Sequence, residues 1–131
     1  MIIINLSSED MEYAKRLQSY AEVSLVIKDP KSFSSEELQL IQIGATFAAP
    51  VIATVASTFV EMWKARREYS ITIGKDTFTV KGFNKKETME LVEKYAPRYK
   101  NSTMSDEKMI EQAIIVFLQK ETASGEKKNG N

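Results

Sequence analysis

The reactive side chains of this sequence are carboxylates, ammonium and guanidinium groups and hydroxyls, for it contains neither histidine nor cysteine. Without histidine the commonest general base and metal ligand is missing, and without cysteine so are disulfides and thiolate chemistry. Acid–base work would fall to carboxylates, which occur in pairs at Glu9/Asp10, Glu36/Glu37 and Asp106/Glu107. Each pair sits in the first turn of an expected helix, where negative charge complements the helix dipole, and that structural role accounts for it. A glycosidase or metal-dependent nuclease needs acids from separate elements converging in a cleft, which adjacent pairs do not supply. No glycine-rich phosphate loop, zinc pattern or nucleophile elbow is present. The residues point away from an enzyme and imply no cofactor or metal.

One cluster has binding chemistry. Trp63, Lys64, Arg66, Arg67 and Tyr69 mix cations with aromatic rings, as nucleic-acid and small-ligand surfaces do. The competing explanation is a helix C-terminus whose cations favour the dipole, with Trp63 in the core or under arginine stems. Lys81, Lys85, Lys86, Arg98 and Lys100 extend the cluster only weakly, because acids are interleaved with them. Eighteen basic and eighteen acidic residues cancel, so no net field draws in nucleic acid.

The elements that would position these groups belong to one domain. At 131 residues, with 43% hydrophobic and 27% charged side chains, the chain is ordinary for one core. Its first residues lack a basic n-region and a long apolar run, which argues against Sec export and for a cytoplasmic location. Ile2 to Leu6 reads as a strand, followed by a helix from the Ser7–Asp10 region to about Ala21 with Met11, Ala14, Leu17, Tyr20 and Ala21 on one face. Val23 to Ile27 reads as the next strand, closed by Asp29-Pro30.

Leu38 to Val60 then carries no charge. Ser34 or Ser35, with Glu36 and Glu37, can start a helix that continues through this run to Arg67, kinked or divided near Pro50. Ala45, Ala49, Ala53 and Ser57, four residues apart, would line one face of such a helix and let another backbone approach closely. Three burials fit: a central helix or helix pair in the core, an oligomerisation helix, or a single transmembrane span at an inner membrane flanked by Lys64, Arg66 and Arg67.

Tyr69 to Ile73 and Thr77 to Val80 alternate around Gly74-Lys75-Asp76, which predicts a β-hairpin burying Ile71, Ile73, Phe78 and Val80. A helix capped by Asn84 and Glu87 carries Leu91, Val92 and Tyr95 and ends near Pro97. Ser105 caps a last helix, in which Ile115 and Val116 widen the apolar surface beyond one face and suggest an interface.

Gly44 through Val80 resembles the effector-associated constant component proteins of bacteria. The shared features are an Ala-rich apolar helix ending in Trp63-Lys-Ala-Arg66-Arg67, then a strand, a Gly74-Lys75-Asp76 turn and a second strand. In that family the residue after the tryptophan is apolar, where this chain has Lys64, and the helix from Ser105 has no counterpart. The resemblance implies an accessory role in conflict or defence systems, coupling a sensed signal or assembly to a separate effector, and brings no catalytic residue.

The sequence therefore predicts an α+β fold with about four strands, including the 69–80 hairpin, packed on a central apolar helix or kinked pair at 35–67. Residues 1–96 form the core domain, 97–104 a linker, 105–122 a C-terminal helix and 123–131 a solvated tail. The predicted function is a non-enzymatic, self-associating adaptor with an effector or sensor as protein partner. A single-pass membrane protein or membrane-disrupting effector using 38–60, and a nucleic-acid or small-ligand binding module around Trp63, Arg66 and Arg67, are the alternatives.

Overall fold

A computed structural model describes residues 1–27, 40–81, 85–99 and 103–129. The fold is α+β, among the described residues a five-stranded antiparallel sheet with four α-helices. The expected turn at Asp29-Pro30, the helix start at Ser34 or Ser35 and the Asn84 cap lie outside the described residues.

Strand β1 (Ile2–Ser7) is central, with β3 (Leu40–Thr46) on one side and β4 (Tyr69–Ile73) on the other. Strands β2 (Val23–Ile27) and β5 (Asp76–Val80) form the two edges, giving the order β2-β3-β1-β4-β5. Alternation decides which residues face the helices. Ile2, Ile4 and Leu6 pair with Ala45, Ile43 and Ile41, and on the other side Ile4 and Leu6 pair with Ile71 and Tyr69; all are buried. The residues between them turn to the opposite face, called here the open face, where Ile3, Asn5, Gln42 and Thr46 are only half-buried.

Strand β3 corrects the expected helix pair over 35–67. Ile41, Ile43 and Ala45 point inward and Leu40, Gln42, Gly44 and Thr46 outward, a period of two hidden inside an uncharged run. Two isoleucines and a glycine disfavour helix there, and pairing with both β1 and β2 gives the backbone partners on each side. The chain re-enters helix only after Pro50, in a short 3-10 turn Ala49–Val51 that leads into α2 (Ile52–Lys64). Pro50 thus starts a helix, where its missing N–H costs nothing, instead of kinking one. The strand and the 3-10 turn after it take up about half of the proposed span, and no helix among the described residues is long and apolar enough to cross a membrane.

The other helices follow the sequence closely. A 3-10 turn at Ser8–Asp10 leads into α1 (Met11–Tyr20), and the Ser7 hydroxyl accepts from the Glu9 N–H at 3.2 Å. Helix α3 (Lys85–Tyr95) stops before Pro97, and Pro97–Tyr99 forms a further 3-10 turn. Ser105 caps α4 (Asp106–Asn129) by accepting from the Lys108 N–H at 3.2 Å. The helix runs through the stretch expected to be a solvated tail.

Helix α4 packs on its own chain. Ile110, Ala113, Ile114, Phe117 and Leu118 are fully buried against α2, α3 and the sheet. The rings of Phe78, Tyr95 and Phe117 lie 4.9–5.5 Å apart and join β5, α3 and α4. Each buried ring contributes about 1.5–3 kcal/mol through apolar area removed from water.

Candidate functional site: the β2 edge and the open sheet face

The cation–aromatic cluster does not assemble into a surface. Trp63 is buried, and its Nε1–H donates to Thr88 Oγ1 on α3 at 2.8 Å. Tyr69 is buried with its ring 4.8 Å from Phe59, and burial raises the pKa of its hydroxyl. Lys64 pairs with Glu107 at 2.8 Å, and that bond raises the ammonium pKa. Arg67 donates to Asp10 at 2.7 Å and reaches Glu9 at 3.4 Å, contacts that raise its pKa in the same way. Arg66 serves the backbone. At φ 62° it closes α2, its N–H donating to the Trp63 carbonyl while the Arg67 N–H donates to Met62. These two bonds are those of the Schellman C-cap.

The small-residue line is dispersed too. Ala45 is buried in β3, Ala49 lies in the 3-10 turn, and Ala53 and Ser57 sit on the exposed side of α2. The four share no common face, because the helix that would align them begins only at Ile52 and holds just Ala53 and Ser57. Ser57 borders a groove of about 240 Å³ between α2 and α4, where Lys64 and Lys108 lie among Glu61, Glu107 and Glu111 and opposite charges offset one another. Ile115 and Val116 are half-buried against the core of their own chain.

Of the carboxylate pairs, Glu9/Asp10 and Asp106/Glu107 stand at helix starts and are held in ion pairs, and Glu36/Glu37 lies outside the described residues. Asp106 meets Lys85 at 3.4 Å, and Glu61 is bound by Arg16, a hydrogen bond that lowers the carboxyl pKa and raises that of the guanidinium. Among the described residues no group of three acids converges to hold a metal ion.

The unsatisfied surface lies at the other end of the sheet. Val23, Leu25 and Val26 of β2 are 53%, 53% and 57% exposed, and Leu40 of β3 is 47% exposed. The register sets Leu25 against Gly44 and Gly44 against Ile3, so an apolar row runs inward from the β2 edge on the open face. Beside it Gln42 Nε2 donates to Asn5 Oδ1 at 2.9 Å, and Asn5 Nδ2 donates to Ser70 Oγ at 3.2 Å. Thr72 and Thr77 share a further hydroxyl contact at 3.3 Å. Among the described residues the open face is thus uncharged, apolar near β2 and amide- and hydroxyl-lined toward β5.

No family model, curated protein or solved structure matches this chain. Sequence reasoning identified β2 but not its position. Its lack of charge is the trait of a strand covered on both sides, and only the pairing order places it at an edge.

What this surface can do chemically is pair and pack. An edge strand offers backbone donors and acceptors to another strand, and exposed valine and leucine side chains gain by leaving water. Among the described residues this face carries amides and hydroxyls but no charged side chain.

Proposed function

We infer that this chain is a non-enzymatic accessory protein that self-associates and couples to a separate protein partner, an effector or sensor of the kind the effector-associated constant component resemblance implies in bacterial defence. The observation that carries this reading is the concentration of exposed apolar side chains at the β2 margin: Val23, Leu25, Val26 and Leu40. Large apolar residues gathered at one edge mark an interaction surface more strongly than the same residues scattered singly.

The commitment of Glu9, Asp10, Glu61, Asp106 and Glu107 to ion pairs supports a binding role over catalysis. The ligand-binding alternative loses its aromatic platform, since Trp63 and Tyr69 are core residues. The membrane alternative loses its helix to β3. A cytoplasmic protein fits this role.

Light scattering on the full chain, expressed without detergent and measured over a range of concentrations, tests the self-association. A species heavier than the 14.8 kDa chain is expected. A mass of one chain at every concentration contradicts it.

A further inference from the structure

We draw no further inference here: the strongest candidate, the uncharged sheet edge at β2 with Val23, Leu25 and Val26 exposed, belongs to the surface already described, and nothing in the structure shows what covers it.

Discussion

Arg67 Nε donates to Asp10 Oδ1 at 2.7 Å, a contact that ties the exit of α2 to the entrance of α1. Asp10 is 3% exposed, and among the described residues its second oxygen, Oδ2, has no partner. The ion pair is therefore what compensates this buried carboxylate.

Removing the cation should cost more than removing both groups. Arg67→Ala leaves a buried charge, and we expect a loss on the order of 2–3 kcal/mol, at or below the low end for buried pairs because the arginine side chain remains 33% exposed. Asp10→Ala in the Arg67→Ala background should recover part of that loss. Urea unfolding of the two single variants and the double variant checks this, and additive losses would remove the pair from the account.

Tyr69 has the opposite chemistry, a buried hydroxyl with no hydrogen-bond partner among the described residues. Tyr69→Phe deletes the desolvated group and keeps the ring against Phe59, so it should stabilise the fold by about 1 kcal/mol. The pH dependence has a defined sign. Burial raises the folded-state pKa above the ordinary 10.0, so the contribution is complete below pH 10 and is lost as pH rises from there toward the folded-state value. Thermal melts between pH 8 and pH 11 should show a steeper alkaline fall in the parent chain than in Tyr69→Phe.

Arg66 occupies the left-handed position that usually belongs to glycine. An L-residue there carries a conformational cost of about 1–2 kcal/mol, partly offset by the greater freedom glycine has in the unfolded chain. Arg66→Gly should therefore raise the unfolding free energy by about 0.5–1 kcal/mol. A loss of stability on substitution would mean that the arginine side chain contributes more than the backbone strain costs.

Much of this architecture was legible from residue patterns, and the failures have physical causes. The 69–80 hairpin announces itself because polar and apolar residues alternate and Gly74 supplies φ 60° at the first turn position. The turn takes two residues, with Asp76 already in β5, as expected when glycine leads a tight hairpin. Strand β3 was obscured because its outward residues Leu40, Gln42 and Gly44 carry no charge, so neither period stands out against the long apolar helix pattern that follows. Trp63 was a candidate ligand by type, yet it lies four residues from Phe59 on a face that also carries Val55, Ala56 and Met62, and helical spacing alone places it inside. Tyr69 likewise leads the inward face of β4 with Ile71. The β2 edge had no such signal, since strand order depends on pairings distant in sequence.

Amide hydrogen exchange across Val23–Ile27, in dilute and concentrated solution, tests the central claim that this chain self-associates with its apolar sheet margin as the interaction surface. Strand β3 engages one side of β2, so association at the margin should slow the remaining amides of β2 as concentration rises, while those of β5 stay unchanged. Exchange in β2 that is identical at both concentrations, in a sample whose mass shows assembly, would contradict the claim.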